Sequence, residues 1–197
     1  MGTDNCMDVS VYQKAKEGNY YCGDSYFFKE KEDEFICALA DGLGSGEYAK
    51  ESSEAVMEMI EQNPEMSVKQ LMKQAQKVLI GKRGVVLGIL KINFHANNFS
   101  FSSVGNIGLM TITSNCKKQR NIPNAGYLGG YERPVKVLEG AISDGMMFLM
   151  FSDGVRSSDL SSTYLYGKDV QTITSKFPIQ DDRPTDDTTL IAMKYKK

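Results

Sequence analysis

The sequence predicts an α+β fold in which two mainly antiparallel sheets pack together and helices flank them. Three observations carry this expectation. Strand-like segments follow one another in hairpin series instead of alternating with helices. Two amphipathic helical segments are grouped between strands. Several strand segments are apolar at nearly every position, as expected of strands covered on both faces.

Taken in order, Val9–Lys14 and Tyr26–Lys29 read as short strands. Phe35–Ala40 is a continuous apolar run and reads as a buried strand, stopped by Asp41-Gly42-Leu43-Gly44-Ser45-Gly46. A helix follows, with Tyr48, Ser52, Ala55, Val56, Met59 and Ile60 on one face, and Asn63-Pro64 ends it. A second helix opens at Ser67, where Gln70 completes a capping-box pattern, and Gly81 marks its stop. Val85–Phe94 and Phe99–Val104 flank a hairpin loop at residues 95–98. Gly105-Asn106 reads as a two-residue turn into a strand over Ile107–Thr113. Pro134–Leu138 and Met146–Phe151 are further strands, Leu160–Ser175 has weak helical character, and Thr188–Lys194 is the last strand.

Composition removes several chemistries. The 197 residues include one His, four Cys and no Trp. One histidine cannot build a His-rich metal centre, and Cys6, Cys22, Cys37 and Cys116 never approach CxxC spacing. A formal charge of -2 gives no electrostatic case for nucleic acid or an anionic membrane. Apolar runs as long as Met146–Phe151 are far too short to cross a bilayer, and the first ten residues lack a signal-peptide core. The expectation is a cytoplasmic, monomeric chain forming a single domain over residues 1–197, with reduced thiols.

Carboxylates are the abundant chemistry left. Two apolar strands end in Asp-Gly, at Asp41-Gly42 and at Asp153-Gly154. Two more acidic sites adjoin strand beginnings, Gly23-Asp24 and Asp186-Asp187-Thr188. Acids held at strand ends can converge without being neighbours in sequence. Converged carboxylates repel and are costly to desolvate, and a divalent cation removes that cost. All-oxygen ligands select hard ions, Mg²⁺ or Mn²⁺. Two such ions sharing a carboxylate activate water and stabilise in-line attack on phosphorus.

Those four motifs, Gly23-Asp24-Ser25-Tyr26-Phe27, the Asp41–Gly46 loop, Ser152-Asp153-Gly154 and Asp186-Asp187-Thr188-Thr189, occur in the order found in PPM-type metal-dependent protein serine/threonine phosphatases. The chain most resembles a small bacterial branch of that family. Lys82-Arg83-Gly84 and Ser103-Val104-Gly105-Asn106 strengthen the likeness. The resemblance implies a four-layer αββα sandwich with two ions, Mn²⁺ or Mg²⁺, at one end of the sheets. It implies that Asp41 bridges both ions, that the Gly42 carbonyl completes one, and that Asp153 and Asp186 hold the other. Asp24 ligates directly or through water. Asp186 is preferred to Asp187 as the first acid of its motif. The implied partners are phosphorylated protein substrates, the scaffold proteins of a bacterial stressosome, so that activity feeds back on the general-stress sigma factor.

The sequence departs from the wider family at two points. Leu43 stands where many members carry a histidine, and no arginine precedes Gly23-Asp24. Arg83 and Arg156 are the basic residues nearest the motifs. The glycines at 42, 44 and 46 lie between a strand and a helix, the setting of a phosphate cradle, but their spacing is not GxGxxG. The competing readings are a phosphatase-like docking module without catalysis and a nucleotide-binding protein. His95 reads as a solvated turn residue, and the eleven methionines as core filling.

Overall fold

The computed structural model describes residues 5–131, 133–161, 169–177 and 186–197. The strands are β1 (Met7–Lys14), β2 (Asp24–Glu30), β3 (Glu34–Gly42), β4 (Val85–Asn93), β5 (Asn98–Val104), β6 (Gly108–Ile112), β7 (Lys118–Arg120), β8 (Leu138–Ala141), β9 (Met147–Phe151) and β10 (Thr188–Tyr195). The helices are α1 (Glu47–Gln62), α2 (Val68–Val78), α3 (Ser157–Ser161) and α4 (Val170–Lys176). One five-stranded sheet runs β1-β10-β9-β6-β7 and the other β2-β3-β4-β5-β8, and the paired strands are antiparallel.

Alternation along the strands builds four layers. Phe35, Cys37 and Leu39 of β3 meet Ile191 and Met193 of β10 and Phe148 and Met150 of β9 in the core between the sheets. Ile36, Ala38 and Ala40 point the other way, under α1 and α2. Leu149, Phe151, Leu190 and Ala192 face outward beneath α3 and α4. Strands covered on both faces have no polar side, which is why β3 and β9 read as unbroken apolar runs. The αββα sandwich is therefore the observed fold.

Local signals placed most elements. Ser67 and Gln70 form the expected reciprocal capping box. The turn between β4 and β5 contains exposed His95. Most methionines, among them Met57, Met72, Met150 and Met193, are buried.

Other expectations require correction. Tyr48 is 65% exposed, and the small residues Ala49 and Ser53 complete the buried face of α1 instead. Gly105-Asn106 is not a hairpin turn. It carries the chain from β5 in one sheet to β6 in the other, a change of layer that local turn chemistry cannot reveal. The strand expected over Pro134–Leu138 lies later, at β8, and β7 was not anticipated. Both are short edge strands with little apolar pattern. The weak helical stretch gives α3 and α4, while residues 162–168 between them lie outside the described residues.

Candidate metal centre

The predicted acids come from four strand ends at one pole of the sandwich. Antiparallel register sets Asp24 of β2 directly opposite Asp41 of β3. Asp41 shares the strand face of Phe35, Cys37 and Leu39, so this pair faces the gap between the sheets. Like charges directly opposite on a ladder are destabilising. The other sheet answers with hydroxyls. Thr189 of β10 donates to Asp24 Oδ2 at 2.6 Å, and the nearby Ser152 hydroxyl adds to the pull that lowers the Asp24 carboxyl. The Ser152 Oγ accepts the Thr189 N–H at 2.9 Å, which fixes the two strand ends to each other.

Asp24 is fully buried, and among the described residues its Oδ1 has no hydrogen-bond partner. An orphaned, buried carboxylate oxygen fits a cation or a cation-bound water. Burial pushes the Asp24 carboxyl up to about 6 against the lowering pull of Thr189 and Ser152. Asp41 is pushed up to about 8, first by desolvation and then by repulsion from Asp24, Asp153, Asp186 and Asp187. Asp153 is raised by desolvation and next by Asp186. At Asp24, Asp41 and Asp153 repulsion from neighbouring carboxylates thus adds to desolvation, an arrangement that positive charge would relieve. Among the described residues no group of three or more acidic, His or Cys side chains is gathered closely enough to hold a metal ion by itself. Mg²⁺ does not demand one, because it keeps several waters and takes one or two carboxylates.

The structure distinguishes the two acids of the last motif. Asp187 is buried, and both of its oxygens are occupied: Oδ1 accepts the Lys16 N–H and Oδ2 the Gly23 N–H, each at 2.8 Å. Asp186 is exposed and, among the described residues, accepts the neighbouring Asp187 N–H at 3.0 Å. Asp187 is a clasp for the segment that carries Asp24, whereas the Asp186 side chain stands at the surface. Asp153 is exposed and receives the Asn106 side-chain amide at 2.6 Å.

The motif glycines are needed for close approach. A Cβ on Gly42 would lie 2.0 Å from the Ala49 carbonyl oxygen of α1, and one on Gly154 would lie 2.2 Å from Thr188 Oγ1. Neither residue has a positive φ. The Gly42 N–H donates to the Gly23 carbonyl at 3.3 Å, and the Leu43 N–H to Gly84 at 2.8 Å. Gly44 does have a positive φ, and the Arg83 guanidinium lies against it and over the Tyr48 ring. Arg156 begins the α3 turn, its N–H donating to Asp159 Oδ2. Cys22 is held as a thiol, pushed up to about 12 by burial and by Asp24 and Asp187.

Sequence reasoning did not find Asp187 as a clasp, nor Thr189, Ser152 and Asn106 as supports. Ser152 and Thr189 did stand inside the recognised motifs. Nothing in one sequence signals that Asn106 reaches across to the other sheet.

Two helix-flanked antiparallel sheets with carboxylates from both meeting at one end define a metal-dependent phosphatase of the PPM, or PP2C, class. The sequence matches no family model. Over 185 residues it is 35% identical to phosphoserine phosphatase RsbX of Bacillus subtilis (strain 168), covering 94% of this chain and 93% of that one. A crystal structure of RsbX in complex with magnesium superimposes with a TM-score of 0.91, at 32% identity and 98% coverage of both chains. A chain described under the bacterial stressosome, a modular system adapted to control secondary messenger signalling, shares the fold at 24% identity and a TM-score of 0.82, over 95% of this chain and 98% of that one. The chain belongs to the PPM-type family of metal-dependent protein serine/threonine phosphatases, in the bacterial branch that contains RsbX.

Proposed function

We propose that this chain hydrolyses phosphoserine or phosphothreonine on the scaffold proteins of a stressosome-type complex, resetting that complex and damping the general-stress sigma-factor response. The chemistry rests on one observation above the rest: the ladder forces Asp24 and Asp41 together beside an orphaned carboxylate oxygen. The substrate class is supported by the identity to a phosphoserine phosphatase over nearly the full length of both chains.

Bound Mn²⁺ or Mg²⁺, two ions in this reading, supplies charge neutralisation at the phosphoryl group and an activated water. Asp41 is assigned to both ions, the Gly42 carbonyl to one, Asp153 and Asp186 to the other, and Asp24 to direct or water-mediated contact. Asp187 and Thr189 hold Asp24 in place, and Asn106 orients Asp153. Leu43 has no proton to give a leaving group, and Arg83 is the cation beside the Gly42–Gly46 loop. In this reading the chain acts as one monomeric phosphatase domain over residues 1–197 in the cytoplasm. Among the described residues no helix is long and apolar enough to cross a membrane.

Purified protein with Mn²⁺ is expected to release phosphate from a phosphorylated stressosome scaffold protein and to stop on chelation. Failure on both that protein and an aryl phosphate would overturn the reading and favour a docking module without catalysis.

A further inference from the structure

The sheets end on one side in β7 and β8, strands of three and four residues. Between them the sandwich is open, and a groove of about 820 Å³ enters the gap. Its floor is the core itself, with Phe99, Phe101, Leu109, Ile142 and Met146 reaching the cavity. That volume lies within the range of about 300–1,000 Å³ typical of binding pockets. Ile122 and Leu138 line it while 91% and 44% exposed, an apolar lip that the fold itself leaves uncovered.

The mouth has the opposite sign to the chain. Lys117, Arg120 and Lys136 line it against Glu139, in a protein of formal charge -2 whose catalytic pole is acidic. Lys117 and Lys136 are exposed. The groove also adjoins the carboxylate centre. Asn124, in its wall, accepts the Gly105 N–H at 2.7 Å, and the next residue, Asn106, holds Asp153. Ser103 in the groove lies three residues before Asn106 at the centre, at most about 10 Å along the chain, and Phe99 lies four strand residues further back, about 13 Å. A segment of roughly three to seven extended residues spans that path.

We infer that this groove docks an extended, acidic segment of the phosphoprotein substrate, placing an apolar side chain on the Phe99 and Phe101 floor and carboxylates over Lys117 and Lys136. The inference rests on the phosphatase reading above. It makes the groove a second recognition site for protein substrates that a small phosphate ester does not use. Opposite charge at a rim guides and orients a partner, while the apolar floor supplies the anchor.

The test compares two substrates in the presence of Mn²⁺: phosphorylated β-casein, an extended acidic phosphoserine protein, and p-nitrophenyl phosphate. The variants are Lys117→Glu with Lys136→Glu, both at exposed positions, and separately Leu138→Asp, with circular dichroism confirming the fold. The expected result is a fall of about tenfold in kcat/KM on casein, carried by KM, with p-nitrophenyl phosphate unchanged within about twofold. Parallel loss on both substrates, or loss on neither, overturns the docking site. Wild-type turnover of p-nitrophenyl phosphate reports separately on the phosphatase reading. If the wild type does not turn over casein, calorimetric binding of phosphorylated β-casein decides the groove. Binding weakened about tenfold by the double charge reversal supports it, and equal binding or none overturns it.

Discussion

The two halves of the carboxylate centre are built differently. On β2 and β3, Asp24 and Asp41 stand opposite each other in a regular ladder, with Asp24 fully buried. On the other sheet, Asp153 and Asp186 flank β9 and β10 in turns and are exposed. The first half is buried and electrostatically strained, and the second is solvated. The contrast teaches where cation binding is prepared. Burial and repulsion concentrate the unfavourable energy on Asp24 and Asp41, so neutralisation there gains most.

The largest expected effect tests the buried half. Asp41→Asn should lower kcat by about 10³-fold or more while leaving the fold intact, as judged by circular dichroism and steady-state kinetics. An active Asp41→Asn enzyme would remove the asymmetry on which the comparison rests. Next in size, Gly42→Ala drives a methyl into the Ala49 carbonyl of α1 and should cost about 3 kcal/mol in denaturant unfolding, with activity lost as the loop shifts.

The solvated half is tested through its two neighbouring acids. Asp187→Ala should cost about 2 kcal/mol of stability, because it orphans the Gly23 and Lys16 N–H groups. Asp186→Asn should change stability by less than about 0.5 kcal/mol and still lower turnover by about tenfold or more. The reverse pattern would exchange their roles.

Acidity separates the halves as well. In the folded, ion-free protein Asp24 and Asp41 hold protons to about pH 6 and about pH 8, against an ordinary value of 3.8. The folded chain therefore binds more protons than the unfolded chain between those limits. The contribution is full below about pH 4 and is lost as pH rises through about 8. Chelator-treated protein should melt at lower temperature at the alkaline end, and Asp41→Asn should flatten that slope. The smallest effect is a control remote from both halves. Ser67→Ala removes the capping box of α2 and should cost about 1 kcal/mol with unchanged kinetics.

These contrasts show what one sequence carries. The αββα layers were legible because Phe35–Ala40 of β3 and Met147–Phe151 of β9 are apolar at inward and outward positions alike, as double coverage requires. Asp41 and Asp153 were legible because Asp-Gly follows an apolar strand run at each, and Asp24 and Asp186 because they adjoin strand beginnings. The supports were not, since Asp187 bonding Gly23, and Asn106 bonding Asp153, join residues distant along the chain and leave no periodicity. The Gly105-Asn106 crossover was misread for the same reason. A tight turn and a change of sheet look alike until both sheets are placed. The short edge strands β7 and β8 escaped or shifted because their residues are polar or half-exposed, so burial imposes no pattern on them.

The central claim is that Asp24 and Asp41 are held together for a divalent cation. Calorimetric titration of Mn²⁺ into wild type and Asp41→Asn, at about pH 8.5 and about pH 6, tests it most directly. Ligating carboxylates must lose their protons, so affinity should be higher at the alkaline pH and collapse in the variant. Equal binding by both proteins, or none by the wild type at either pH, would contradict the account.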